Sequence, residues 1–464
     1  MQNNDRSWVG SSVVKMFRSA VRPGVIESSE RGYITVQGVF WTIVGYGGSQ
    51  LLRLGSTLIL ARYLLAPEVF GLFALLNIFL TGLEMLSDLG IGMDVVQHRR
   101  GDDPDFISTA FLIQAGRGII LWAIALALVY PFALFYNQPD LRMLGLVGAF
   151  SVAVRGVASG SVWLMTRHLQ VKKLAMLNVG GDAVGLMVTI TWAFISPTAW
   201  ALVAGRLAMT LAFTIGSHLV ADSRVSLRWD REAARDIFAF GGGMFLTSVT
   251  YFLGGEAERL IVAKFIPIAE LGCFSLAVTL SAAPAQLLGQ IAGKVFFPLI
   301  SQNLREDPNG VVTHFRRARI VFLVVSILVG VGFIAYSHRF VALLLPPQYA
   351  STGWMLQWLG FRAAQQIFAA PTSCLILAYG NSKQGAVANI IRSILMLVGM
   401  WWGFTIYGMQ VAIAFLAIAY VAAYLALIPA LAQHSRPSLR VELQSFAVFS
   451  ICMVLAAMIP WPGR

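Results

Sequence analysis

The sequence predicts an all-α polytopic membrane protein: two parallel-repeat six-helix bundles around a central cavity, with about 13 transmembrane helices (range about 12–14). Three observations carry that prediction. First, 57% of the residues are hydrophobic and 12% charged, and the mean hydropathy is +0.72. Soluble domains carry about 25% charged residues, so water is a poor solvent for this surface. Second, apolar runs long enough to span a bilayer recur along most of the chain. Third, the two halves of the chain resemble each other.

The elements follow in order. Residues 1–32 form a basic amphiphilic leader with no short apolar region and cleavage site, so no cleaved signal peptide is expected. Apolar segments then run at 34–60, 68–96, 107–135, 141–165, 174–195 and 198–220, the N-terminal bundle of residues 33–222. A basic linker at 223–236 carries Arg224, Arg228, Arg231 and Arg235. Segments at 237–263, 269–298, 311–337, 354–379, 384–406 and 409–432 make the C-terminal bundle of 237–433. One more, at 441–460, lies in the appended region 434–464. The stretch 338–353, broken by Pro346 and Pro347, reads as a re-entrant or surface piece.

Basic residues orient the chain. With the N-terminus inside, 21 Lys and Arg, among them Arg316, Arg317 and Arg319, fall in inside segments. Five fall outside: Arg62, Arg142, Lys264, Arg339 and Arg464. The positive-inside rule therefore places the N-terminus in the cytoplasm. The same rule accounts for the net charge of +12 without nucleic acid, since no Lys/Arg run with interleaved aromatics occurs. Cys273, Cys374 and Cys452 all sit in apolar spans and read as small hydrophobes.

The repeat is local but well placed. Leu60-Ala61-Arg62-Tyr63-Leu64 matches Val262-Ala263-Lys264-Phe265-Ile266. Phe70-Gly71-Leu72-Phe73-Ala74-Leu75 matches Leu271-Gly272-Cys273-Phe274-Ser275-Leu276. Both lie where the first span of a half joins the second. Six spans per half start both halves on one side, so the repeats are parallel and face each other across a cavity.

Charged side chains inside the spans define the candidate site, because each costs about 2.5–3.5 kcal/mol at the centre of a membrane helix. The basic ones are Arg53, Arg117, Arg155, Arg206, Arg259, Lys294, Arg362 and Arg392; the acidic ones are Glu84, Asp88, Asp182, Glu256 and Glu258. Helical spacing puts Tyr46, Gln50, Arg53 and Thr57 on one face, and Asn77, Thr81, Glu84 and Asp88 on another. Arg362, Gln365, Gln366 and Ser373 share a third. These stripes line either a hydrated interior or helix–helix seams fixed by Arg–carboxylate pairs, and both readings stand at this level. Lys294 reads as snorkelling inward or capping a helix end, and Arg259 as pairing within its turn or snorkelling outward. The excess of basic over acidic groups suits an anionic guest such as a diphosphate. Arg53, Arg117 and Arg155 are expected to attract it first, then Arg206, Arg362 and Arg392. Glu84, Asp88 and Asp182 are the candidates for ion coupling, with Na+ or H+ left open; no cofactor and no structural metal are expected. Pro284 and Pro371 are expected to break their spans, and Gly47-Gly48 and Gly241-Gly242-Gly243 to bend theirs or pack them closely. Asp102, Asp103 and Asp105 are expected to cap a helix. No P-loop and no His-Glu-x-x-His motif occurs, and no large outer loop is present to host catalysis, so an enzyme is not expected.

Two stretches resemble a known family. One runs from Leu60 through Pro67-Glu68-Val69-Phe70-Gly71, then Leu86-Ser87-Asp88-Leu89-Gly90-Ile91-Gly92, Val96-Gln97-His98-Arg99 and Ser108-Thr109-Ala110-Phe111. The other is Glu256-Ala257-Glu258-Arg259-Leu260-Ile261-Val262. They are similar to the bacterial polysaccharide transporters, the oligosaccharide flippases of the multidrug/oligosaccharidyl-lipid/polysaccharide exporter superfamily. In that family's pattern the second stretch usually carries Asp, often with Asn where Glu256 stands. The resemblance implies a flippase that moves undecaprenyl-diphosphate-linked oligosaccharide between leaflets by alternating access. It implies membrane lipid, glycosyltransferases and a polymerase of the same pathway as partners. A drug/cation antiporter of the same superfamily is the first alternative and a membrane polysaccharide polymerase or ligase the second.

Overall fold

In hydrocarbon an unpaired backbone amide costs several kcal/mol, so apolar runs in lipid must close their hydrogen bonds within helices or barrels. The computed structural model describes residues 30–85, 87–221, 227–255, 257–306 and 310–458, and among these there is no strand. In the first half the helices are α1 (Glu30–Tyr63), α2 (Pro67–Met85), α3 (Ile91–Gln97), α4 (Pro104–Phe135), α5 (Asp140–Gly156), α6 (Ser161–Arg167), α7 (Val171–Ile195) and α8 (Ala199–Leu219). The second half has α9 (Arg231–Gly255), α10 (Ala257–Phe265), α11 (Ile268–Ile291), α12 (Phe297–Glu306), α13 (Val311–Leu344), α14 (Ser351–Ala378), α15 (Ser382–Ile406), α16 (Met409–His434) and the appended α17 (Arg436–Met458). Among the described residues each predicted apolar segment is mostly helical. Among the described residues nine helices are long and apolar enough to cross a membrane, or ten if the bent pair α5–α6 is one span. The segments 34–60, 237–263 and 354–379 fall outside that set. The first carries Gln50 and Arg53, and the third Arg362, Gln365 and Gln366, which lower their hydropathy.

Several expectations need correction. The spans read at 68–96 and 141–165 are each two helices. The first breaks before Gly90, whose φ of +61° suits glycine, and the second bends by 59° between α5 and α6. Pro284 and Pro371 do not break their spans, because α11 and α14 run through them. The irregular turn lies beyond Pro284, where Ala292–Phe296 winds as a π-helix between α11 and α12. Most of the stretch 338–353 is not a re-entrant piece. Residues 338–344 are the last turns of α13, Pro347–Tyr349 form one 3-10 turn, and Tyr349 is fully buried. The linker read at 223–236 already enters α9 at Arg231. The leader up to residue 29, Glu256, and the termination after Met458 lie outside the described residues.

The lobes meet where the repeat is. α2 and α11 are the equivalent second spans, and they cross at Gly71 and Gly272. A Cβ on Gly71 would run into the carbonyl oxygen of Ile268, and one on Gly272 into that of Pro67. The core is continuous through this crossing: Leu72, Leu75 and Leu76 of α2 pack in one cluster with Leu271, Phe274 and Val278 of α11. α17 adds Phe449, Met453 and Ala456 to a second cluster with Ile334, Phe368 and Tyr424 of the C-terminal lobe.

Candidate functional site

The two ends of the bundle differ in chemistry. One end carries loops 98–103 and 168–170 and the start of α9, and is rich in Arg; it is called the basic end below. There Arg100 bridges the lobes. Its guanidinium meets Asp103 at 2.7 Å, Asp230 at 2.5 Å and Glu232 at 3.3 Å. Hydrogen bonds from Arg100 hold the Asp103 and Asp230 carboxyls below the usual carboxylate range. His98 lies 3.5 Å from Asp236. Asp103 accepts from the Asp105 amide at 3.0 Å and so caps α4, as the sequence suggested. Arg167 donates to the carbonyls of Val95, Val96 and His98 and pins the end of α3.

At the opposite end the ties come in reciprocal pairs. Arg62, after the first span, donates to Leu343 O at the end of α13. Lys264, its repeat equivalent, donates to Phe135 O at the end of α4, at 2.9 Å. The Tyr349 hydroxyl donates to Leu65 O at 2.8 Å, and that of Tyr136 to Leu260 O at 3.1 Å.

Between the ends the described residues enclose cavities, of which three bear on the site. The first, about 450 Å³, is lined by Arg53, Ser56, Thr57, Asn77, Asp182, Arg206 and Arg259 among others. The second, about 660 Å³ and nearer the basic end, is lined by Gln50, Arg53, Arg155, Asn178, Asp182 and Lys294. They meet at Arg53, Asp182 and Met209. The third, about 280 Å³, sits at the break after α2 and is lined by Glu84, Asp88, Gln114, Arg117 and Arg155.

The structure therefore gathers most, but not all, of the sequence-predicted residues. Arg53 and Arg155 face the chamber with exposed side chains, Arg155 with its guanidinium 4.2 Å above the Phe213 ring. Arg117 lines the third cavity but is spent on structure: it donates to Glu84 O and to Ser87 Oγ at 3.1 Å, capping the broken end of α2. Arg206 is held by Asn77, by Ser151 Oγ at 3.2 Å and by Glu84 at 3.5 Å. Asp88 accepts from the Gly90 amide at 3.0 Å. Asp182 lines both larger cavities. Arg362 is not brought to the chamber; it is buried and paired with Glu258, at 2.7 and 2.8 Å to the two oxygens. Arg392 lies over the Tyr420 ring at 4.9 Å, outside the three cavities.

Sequence reasoning missed three things. Lys294, read as snorkelling inward or capping a helix end, lies in the π-turn on the chamber wall, and Arg259 lines the wall as well. Arg319, counted with Arg316 and Arg317 as a loop residue, is fully buried in α13. It pairs with Glu442 of α17 at 3.0 Å, and Glu442 also accepts from Thr372 and Tyr424, each at 2.7 Å. The readable signal was on α17, where Ser438, Glu442, Ser445 and Phe449 share one helical face.

Two helical lobes, related by a parallel repeat and enclosing a polar chamber tied at both ends, define a multi-pass membrane transporter fold. The chain belongs to the polysaccharide biosynthesis protein family, whose pattern matches residues 59–352. The resemblance read in the sequence is thereby borne out. It is 21% identical over 369 residues to the lipopolysaccharide biosynthesis protein WzxC of Escherichia coli (strain K12), covering 78% of this chain and 74% of that one. It is 20% identical over 356 residues to the succinoglycan biosynthesis transport protein ExoT of Rhizobium meliloti (strain 1021), covering 76% and 70%. Among solved structures it resembles the lipid II flippase MurJ in an inward closed conformation. The TM-score there is 0.66 at 12% identity, over 91% of this chain and 97% of that one. A multidrug resistance MATE family transporter in an inward-facing conformation gives 0.60 at 13%, over 87% and 95%. At such identities the structural likeness speaks for the fold.

Proposed function

We propose that the protein is a flippase. It carries a polyprenyl-diphosphate-linked oligosaccharide, with undecaprenyl as the lipid, across the bacterial inner membrane for polysaccharide export. Its N-terminus is cytoplasmic, so the basic end faces the cytoplasm. One observation carries the reading: Arg53, Arg155 and Lys294 line a single cavity with Asp182 as their one carboxylate. Guanidinium and ammonium groups in a site of low dielectric favour a diphosphate. The hydroxyls and amides of Ser56, Thr57 and Asn77 in the adjoining cavity suit sugar hydroxyls. The prenyl chain stays in the bilayer. Family membership and the names of the relatives support the substrate class.

Transport proceeds by alternating access, with the basic-end ties and the opposite-end ties opening in turn. Of the coupling candidates, Glu84 is engaged by Arg206 and Asp88 by a backbone amide. Asp182, at the junction of the two larger cavities, is the residue we assign to Na+ or H+ coupling. No catalytic step is proposed, and pathway glycosyltransferases and a polymerase are the proposed neighbours. The antiporter alternative calls for an acidic chamber, which the charge excess disfavours.

The test is export by a strain whose own copy is replaced by Arg53→Ala/Arg155→Ala. Polymer export stops, lipid-linked repeat units accumulate in the inner leaflet, and the protein still inserts. Normal export refutes the site. Accumulation on the outer face with wild-type chain absent indicates a polymerase instead.

A further inference from the structure

Lys294 reaches the cavity of Arg53 and Arg155 from an irregular turn, and Pro298 accounts for that turn. Proline carries no amide hydrogen, and in an α-helix its ring collides with the carbonyl four residues earlier. For Pro298 that carbonyl belongs to Lys294. The chain avoids the collision by widening. Ala292–Phe296 wind as a π-helix, and the Phe297 amide donates to Ala292 O in place of Gly293 O. The thiol of Cys374 on α14 donates to the same Ala292 carbonyl at 3.5 Å and ties the turn to the C-terminal lobe. Both flanks are held by apolar packing. Ala285 and Ala292 share a cluster with Phe322 and Ile367, and Phe296 and Ile300 share another with Phe315 and Leu375. Among the described residues no hydrogen bond or ion pair holds the Lys294 ammonium. Its place on the wall is therefore set by the backbone that carries it.

We propose that Pro298 is a positioning residue for the diphosphate: by holding the π-turn it aims Lys294 into the cavity of Arg53 and Arg155, without touching the substrate itself. The proposal rests on the flippase reading and deepens it. A turn of π-helix takes in about one residue more than a turn of α-helix, and such turns are rare outside functional sites. An amide at position 298 gives the Lys294 carbonyl its α-type partner, and the turn tightens. One side of the turn then rotates against the other by up to about 100°, one residue of α-helix. Lys294 lies between them and leaves its place on the wall.

Binding of undecaprenyl diphosphate to the purified full chain in nanodiscs tests this, in a double-mutant cycle of Pro298→Ala and Lys294→Gln. Each single variant is expected to bind ~10-fold more weakly than the wild type, and the double variant no more weakly than either. The melting temperature of Pro298→Ala in detergent holds or rises, because the helix regains a hydrogen bond and loses a proline. Losses that add in the double variant, or a lowered melting temperature, give Pro298 a structural role only and overturn the proposal. Wild-type affinity in either single variant overturns it as well. Each of these results leaves the flippase reading standing. A wild type that does not bind undecaprenyl diphosphate overturns that reading, and the proposal falls with it.

Discussion

Gly71 and Gly272 hold equivalent places in the two repeats, and they meet at the crossing of α2 and α11. The amide nitrogen of each lies 3.0 Å from where a Cβ on the other would stand. The internal repeat thus marks a close backbone contact between the lobes. The surrounding ties obey the same symmetry, since Arg62 reaches the end of α13 as Lys264 reaches the end of α4.

An alanine at Gly71 or Gly272 must push the lobes apart, because the obstructing atoms are backbone carbonyls that cannot rotate away. Overpacking of this kind costs about 1–3 kcal/mol, and the cost falls on the state closed at this end. The expected outcome is a shift of the transporter toward opening there, by ~10-fold. A cysteine at Thr57 on a cysteine-free background reports it: labelling by a membrane-impermeant maleimide from the far side rises in Gly71→Ala. Unchanged labelling in both alanine variants would show that the crossing is not closed by glycine contact.

At the basic end the tie is ionic, and its pH dependence follows from Arg100. Hydrogen bonds to Arg100 lower the carboxyls of Asp103 and Asp230 beneath their ordinary 3.8. A lowered folded pKa contributes stability that is complete above the unfolded value and fades as pH falls through the folded one. The tie therefore stays intact from pH 8 to 5 and weakens only below about 4. The distance distribution between spin labels at Arg99 and Arg231, read by pulsed electron paramagnetic resonance, should be the same at pH 8 and 6 and broaden in Arg100→Ala. An unchanged distance distribution in Arg100→Ala would show that the end is held by other contacts.

How much of this was legible depends on where each residue finds its partner. Arg53, Arg155 and Asp182 were readable because a charge deep in an apolar run must face polar company, and helical spacing gave the face. Arg362 obeys the same rule with a different outcome. Its company is Glu258, on α10, and no spacing within one helix distinguishes an ion pair from a cavity wall. The break after α2 was hidden because Leu86-Ser87-Asp88-Leu89 keeps the run apolar enough to read through; the left-handed Gly90 marks it only once the backbone is seen. The place of Lys294 on the chamber wall was not legible, because it sits in a π-turn, whose register sequence periodicity does not carry.

Arg117 and Arg155 were expected to act alike, and the geometry separates them. Arg117 satisfies the carbonyl of Glu84 and the hydroxyl of Ser87, whereas Arg155 turns its charge to the chamber. Arg117→Ala should therefore lower the amount of folded protein, since the freed carbonyl costs about 1–3 kcal/mol. Arg155→Ala should leave folding intact and reduce transport by an order of magnitude or more. Fluorescence-detected size exclusion beside an export assay distinguishes them. Full expression of Arg117→Ala with no transport would return that residue to the substrate.

The pair Arg319–Glu442 makes α17 part of the C-terminal lobe and not an appendage. Both side chains are fully buried, and Glu442 also accepts from Thr372 of α14 and Tyr424 of α16, so one carboxylate joins four helices. Removing one partner leaves the other charge buried without its counter-ion, which costs about 3–5 kcal/mol, whereas replacing both by apolar groups of similar size is close to neutral. Glu442→Ala should lower the melting temperature in detergent sharply, and Arg319→Met/Glu442→Leu should recover most of it. Because the pair lies away from the chamber, the double variant should also retain transport. A double variant that is stable yet inactive would mean that this buried pair takes part in the transport cycle.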